Sequence, residues 1–378
     1  MSDEAIQTGP RGGQFVETSG GKKRYVAGAS AAANKMDSAV KDALTRLSGA
    51  GWKPTRNPAE RTPAGTLKTH HEGKIDRIRA LPESEQRAAC AELAKQTQMS
   101  KNTLLPEGGK NQKWLEGDDN KDAWRVANKD TTWAKYYPEG SKPGDPKAEC
   151  TDPVRKVMQE EAKKLFVGSK SLPKPGEKKI AILMMGGPGS GKTSSLPASF
   201  DYGTVVLAAA DDLKLHLPEF RDGVTAKSMR SAGIAHEESS AMAKQLVDQA
   251  ITEGRHVLMD GTGATRKTYD DAITRLKAEG YEIHLNFVHL PYEKALPRIF
   301  SRAEKCGRFV PLDDAERKHD EVPANFEYFA KQVHSAKMFD NDVPIDTPMR
   351  EVLTYKNGSS TVIDEQFVET FRKRYPQG

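Results

Sequence analysis

The chain has 378 residues, 36% of them apolar, with a mean hydropathy of −0.70 and a formal charge of +5 from 58 basic and 53 acidic side chains. That length holds two domains, or one large domain with appendages, and the polar balance places much of it in loops or thinly packed segments. No stretch approaches the roughly 18 apolar residues that span a bilayer, and the N-terminus lacks an apolar signal core, so the chain reads as cytoplasmic. Cys90, Cys150 and Cys306 are scattered, the pattern of free thiols in a reducing compartment. The small basic excess permits a nucleic-acid or phosphorylated partner without requiring one.

In chain order, residues 1–35 form a Gly-, Ser- and Ala-rich segment with one patterned piece, in which Phe15-Val16 and Tyr25-Val26 flank a Ser-Gly-Gly turn and predict a small β-hairpin. This piece resembles the short GPRGG…SGGKK-x-YV module appended to phage and large-virus proteins. Residues 36–150 read as a small accessory domain, mostly helical or irregular, with a helix over 81–95. Trp114, Trp124 and Trp133 lie among Gly, Pro, Asn, Asp and Lys; they suit the sparse core of a small domain, or a surface that stacks bases.

From residue 151 onward the spacing becomes regular. A helix over 152–165 and a Pro/Gly/Ser/Lys linker precede the buried strand Ile180-Ala-Ile-Leu-Met-Met185. Further strands are expected at 205–207, 256–259 and 283–290, separated by helices over 236–252 and 268–279, with a terminal hairpin and helix after about 340. The alternation predicts an α/β fold, a parallel sheet with helices on both faces.

Gly186-Gly-Pro-Gly-Ser-Gly-Lys-Thr193 fits G-x-x-x-x-G-K-[ST], with a strand before it and a helix expected from Ser194. Here Gly187, Pro188, Gly189, Ser190, Gly191 and Ser194 form a cradle whose backbone N–H groups face an anionic triphosphate. Lys192 places a cation on the β- and γ-phosphates, and the Thr193 hydroxyl ligates Mg²⁺. The chemistry is that of ATP or GTP. Carboxylates follow at the end of the next strand, Asp211 and Asp212, where the crevice of an open α/β sheet binds ligands. By strand alternation one of the two points inward and the other away.

The ordered series DDLK…LPEF, HEESS, DGTG and R-x-x-x-R…GR-x-VP after the P-loop resembles the zeta-toxin family of P-loop kinases over roughly residues 152–340. The resemblance implies a kinase domain over 151–378 that phosphorylates a sugar hydroxyl of a nucleotide-type acceptor, UDP-N-acetylglucosamine or another such as NAD. It implies Asp211 as the base, Asp260 and Thr262 as acceptor-binding groups, and Arg302 and Arg308 as clamps on the transferring phosphoryl group, with Arg298 in reserve. Some family members carry Glu where this chain has Asp260. Lys214 matches a position near the substrate, although by itself it reads as an exposed lysine. His236 and Glu237 fall on the acceptor side or serve to cap their helix. Implied partners are an antitoxin, or an N-terminal region that restrains or delivers the kinase as a toxin. A polynucleotide kinase is the competing reading, with the tryptophans and basic balance in its favour and no compact nucleic-acid motif to support it.

Overall fold

A computed structural model describes residues 77–99, 126–197, 199–220, 230–306, 308, 310–344 and 347–376, together with three short strands near the N-terminus. Those strands, β1 (Gln7–Thr8), β2 (Gln14–Glu17) and β3 (Lys23–Tyr25), pair antiparallel, with Phe15 opposite Tyr25 and Val16 opposite Arg24. Trp114 and Trp124 lie outside the described residues.

The helix expected over 81–95 is α1 (Glu83–Met99). After α2 (Thr132–Tyr136), α3 (Pro153–Lys164) opens at Asp152, whose carboxylate accepts from Arg155 N at 2.8 Å, with Pro153 in the first turn where its missing N–H costs nothing. Helices α1 and α3 pack together through Cys90, Val154 and Met158, joined by Ile78 from just ahead of α1, and Arg87 bridges to Glu160 and Glu161. Trp133 is 4% exposed and stacks on Tyr137 at 3.8 Å between centroids, in a small cluster with Tyr136, Cys150 and Ala241. It serves packing.

The main sheet has seven strands in the order β10-β9-β8-β7-β4-β6-β5. Five are parallel: β4 (Ile180–Met185), β5 (Val206–Ala209), β6 (Val257–Asp260), β7 (Glu282–His289) and β8 (Ser335–Asp340). Between β5 and β6 lie α4 (Ala210–Leu213), α5 (Ser231–Ile234) and α6 (His236–Glu253). α7 (Arg266–Ala278) joins β6 to β7, and α8 (Tyr292–Cys306) and α9 (Leu312–Ala330) join β7 to β8. The expected terminal hairpin is β9 (Arg350–Lys356) and β10 (Ser359–Val362), which extends the sheet antiparallel from β8. Asn357 and Gly358 turn it at φ 50° and 82°, the paired positive values that an Asn-Gly hairpin supplies. α10 (Glu365–Arg374) follows and buries Val368 and Phe371.

Along β4 the side chains of Ala181, Leu183 and Met185 fall on one face, in a continuous core with Leu246 and Ala250 of α6, Ile273 of α7, Phe326 and Phe329 of α9 and Phe371 of α10. On the other face Met184, Leu258 and Val205 form a second cluster, packed by Leu196 and Phe200. The helix expected from Ser194 is a single 3-10 turn, Lys192–Ser195. Leu196 is already extended at ψ 146° because the proline ring at 197 disfavours a helical residue before it. This segment therefore covers the second face as irregular chain. Cys90 and Cys150 are free and buried, and burial pushes their thiols up to about 12 and about 11.

Candidate active site

The P-loop leaves the end of β4 and is held from outside itself. Gly191, at φ 91°, leaves no room for a Cβ, which would stand 2.5 Å from Asn341 Nδ2, and that amide donates to Ser190 O at 2.7 Å. A Cβ on Gly187 would meet the His319 ring at 2.6 Å. His319 sits between two carbonyls, with Nε2 2.8 Å from Pro188 O and Nδ1 2.9 Å from Leu290 O, so α9 ties the loop to the end of β7. Burial lowers the His319 pKa despite those bonds. Lys192 reaches back to Gly186 O at 3.1 Å; burial lowers its pKa, against the pull of Asp260. The Ser190 hydroxyl is buried and has no hydrogen-bond partner among the described residues. Thr193 and Ser194 are exposed at the mouth.

Asp211 and Asp212 occupy the single turn of α4, directly beyond β5. The alternation expected of a strand end does not apply, because successive helical residues differ by only about 100° and both carboxylates stay on the cleft side. Asp211 accepts from Arg302 Nη2 at 3.2 Å and from Lys214 Nζ at 3.2 Å. Asp212 pairs with Arg308. Burial by itself would raise the Asp211 carboxyl, but Lys214, Arg302 and Arg308 more than offset it and hold it well below the usual carboxylate range. Lys214 is buried, contrary to the exposed lysine that its sequence suggests, because its partner Asp211 lies one helical turn away.

Asp260 ends β6 in register with Met184 of β4 and Ala209 of β5, which sets its carboxylate beside the P-loop lysine. Burial raises its pKa; Lys192 opposes the rise and the neighbouring Asp211 and Asp212 add to it. Thr262 O accepts from Gly186 N at 3.0 Å, so the Asp-Gly-Thr-Gly loop and the P-loop brace each other. Asn325 of α9 donates to Gly263 O and Ala264 O, both at 3.0 Å. His236 starts α6; enclosure by protein, then Lys214 and Lys318, push it down to about 4, and it is neutral at pH 7. Glu237 lies against Gly144, whose carbonyl also accepts from Lys244 at 2.6 Å, and burial raises its carboxyl. Arg298 donates to Asn341 O at 3.2 Å, alongside the P-loop.

The structure thus brings Lys192, Asp211, Lys214, Asp260, Arg302 and Arg308 into one electrostatically coupled cluster. The sequence reading omitted His319, Asn325 and Asn341, which fix the loops that carry it. A signal existed for the first: His319, Val322, Phe326 and Phe329 share one helical stripe, on which a polar ring interrupts the apolar run.

The zeta toxin family model matches residues 163–360. Toxin zeta of Streptococcus pyogenes is 26% identical over 193 residues, 48% of this chain and 64% of that protein. Toxin zeta of Enterococcus hirae is 25% identical over the same length and share. The chain therefore spans just under two thirds of the curated relatives it matches. The native AvrRxo1-ORF1:-ORF2 complex is similar in fold, with a TM-score of 0.53 at 18% identity over 65% of this chain and 82% of that one. A strand–P-loop unit, an Asp-Gly-Thr-Gly loop braced against it and a family match over more than half the chain agree: the chain belongs to the zeta toxin family.

Proposed function

We propose that the chain is a phosphotransferase that moves the γ-phosphate of ATP or GTP onto a hydroxyl of a nucleotide-type small molecule, such as UDP-N-acetylglucosamine or NAD. The observation that carries this reading is the meeting of Asp211 with Arg302 at 3.2 Å in the cleft shared by the P-loop lysine. A carboxylate to receive a proton and an arginine to neutralise phosphoryl charge are the two groups such a transfer needs. The fit to a triphosphate is physical: the loop conformation excludes side chains at Gly187 and Gly191, and the buried Ser190 hydroxyl has no hydrogen-bond partner among the described residues. A structure of the AvrRxo1-ORF1:-ORF2 complex with ATP, TM-score 0.52 at 17% identity, makes ATP the first donor to test. The pairing of ORF1 with ORF2 likewise suggests an antitoxin-like protein partner for this chain.

Thr193 would hold Mg²⁺, which would supply positive charge to offset that of the phosphates. Lys192 leaves the Gly186 carbonyl for the phosphates. Arg302 and Arg308 turn from Asp211 and Asp212 to the transferring group, and Asp211 then keeps Lys214 but loses two of the three cations that depress its pKa. Asp211 accepts the acceptor hydroxyl's proton as the new O–P bond forms and the bond to the β-phosphate oxygen breaks. Asp260 and Thr262 orient the acceptor, and Lys214 keeps Asp211 aimed; His236 and Glu237 line the approach from α6.

The test is transfer of labelled phosphate from ATP with Mg²⁺ to UDP-N-acetylglucosamine, NAD, nucleosides and hydroxyl-ended oligonucleotides. Lys192→Ala and Asp211→Asn should each reduce transfer at least a hundredfold with the melting temperature kept. Full activity in Asp211→Asn would refute the assignment, and label on oligonucleotides alone would replace the acceptor class with polynucleotides.

A further inference from the structure

The two edges of the seven-stranded sheet are finished differently. At β5 the chain closes its own edge: Val167 bridges to Val206, Gly168 N donates to Val205 O at 3.0 Å, and Leu207 N donates to Phe166 O at 2.8 Å. At β10 no described segment does so, and Ser359-Ser-Thr-Val362 is exposed throughout. The strand has none of the charges, prolines or bulges that guard a sheet edge, and Ile363 just beyond it is 55% exposed.

Ile363 N donates to Val352 O at 3.0 Å, so by antiparallel alternation Ser359, Thr361 and Ile363 bond inward to β9. The backbone N–H and C=O groups of Ser360 and Val362 therefore face outward. The side chains of those two residues stand on the α10 face, where Val362 and Val368 floor an open groove of about 420 Å³. Glu365 and Glu369 flank the groove toward the start of α10, and Arg372 and Lys373 toward its end. The Lys373–Glu369 pair at 2.7 Å joins side chains 75% and 70% exposed, so exchanging it for a contact with another molecule costs little. Arg372 keeps its bond to Glu327 through Nε.

We propose that the occupant of this edge is a second copy of the chain, paired through β10 and α10 so that two sheets join into one. A two-fold axis at Thr361, normal to the sheet, sets Ser360 of each copy opposite Val362 of the other and pairs the outward N–H and C=O groups of both. The same axis lays the two α10 helices antiparallel, so the acidic start of each meets the basic end of the other, the self-complementarity that an isologous contact requires. So short a strand places the interface in the small, transient class, and the dimer grows with concentration. β9, β8 and β7 separate β10 from the P-loop strand, so the pairing leaves both clefts open.

The register is tested by cysteine cross-linking of the full chain with oxidised glutathione, the wild type giving the background of its own cysteines. Thr361→Cys should yield a disulfide-linked dimer, because the axis makes Thr361 face its own copy across a close, non-hydrogen-bonded pair. Ser359→Cys, exposed on the same face, should not, since its mate lies four positions along the strand. Sedimentation equilibrium from micromolar to submillimolar protein should show wild-type dimer. Lys373→Glu should weaken it about tenfold, and Glu369→Lys with Lys373→Glu should recover it, both with the melting temperature kept. A wild type that stays monomeric overturns the proposal and leaves the edge to an extended segment of another protein. Equal cross-linking at 359 and 361 overturns the two-fold pairing.

Discussion

Arg155→Met tests whether the buried charges between α3, Glu219 and α6 hold the fold. Arg155 is fully buried on α3 and donates four hydrogen bonds: two to Glu238 of α6 at 2.7 and 2.8 Å, and two to Glu219 at 2.8 and 3.1 Å. Its guanidinium also lies 4.5 Å from the Tyr136 ring centroid. Methionine fills much of the volume and leaves two carboxylates facing each other, with side-chain exposures of 8% and 0%. Removing one partner of such a buried group costs about 3–5 kcal/mol, which for a domain of this size lowers the melting temperature by roughly 10 °C. Urea unfolding followed by circular dichroism measures it. Arg155→Met with Glu238→Gln should recover part of the loss, since the amide donates to Glu219 and one buried charge is gone. The deficit of the single variant should shrink as pH falls toward 5, because burial without the arginine raises the Glu238 carboxyl and its protonation relieves the repulsion. A single variant within about 1 kcal/mol of wild type, or a double variant no better than the single, refutes the reasoning.

His319→Phe keeps a ring in place and strips the Pro188 and Leu290 carbonyls of their shared partner; ATP affinity should fall about tenfold, read by titration with a fluorescent ATP analogue, and unchanged affinity would remove His319 as a strut. His289 is buried among Phe287, Phe367, Phe371 and Tyr375, and both ring nitrogens lack hydrogen-bond partners among the described residues. Burial lowers its pKa to about 4 from an unfolded value near 6.5. The unfolded chain therefore takes up the proton first: the contribution is complete above pH 6.5 and is lost as pH falls toward 4, by up to about 1.4 kcal/mol per pH unit. Urea midpoints at pH 7.5 and 5.5 should differ less in His289→Phe than in wild type; equal pH dependence would contradict this.

The α/β architecture was legible because parallel strands buried on both faces read as short apolar runs, and Ile180–Met185 is one. The Asn357-Gly358 turn marked the last hairpin through a pair of residues that readily accepts two positive φ angles. β8 was missed because Ser335–Asp340 is not a continuous apolar run: Lys337 in its middle is exposed, and only Ala336, Met338 and Phe339 are apolar. The P-loop motif named its own cradle residues, since glycine is required there by the backbone. The struts were not legible: His319 and Asn341 act from 131 and 151 positions away, and no local pattern records which loop a side chain will reach. The failed alternation at Asp211 and Asp212 arose from a tertiary choice, the immediate start of a helical turn after β5.

The seam between residues 126–150 and α6 also governs how the chain divides. Tyr136 OH donates to Glu219, Thr132 Oγ1 to Ile234 O, Lys244 Nζ to Gly144 O and Gln245 Nε2 to Pro146 O, while Trp133 and Tyr137 lie over Ala241. A fragment that begins at 151 unroofs Arg155 and bares Ala241, and a deletion that removes 77–93 uncovers Val154 and Met158. Growth assays with such fragments would then score their solubility before any release from restraint. Breakpoints ahead of residue 77 keep both seams whole, and there a change in growth reports on the leading segment itself.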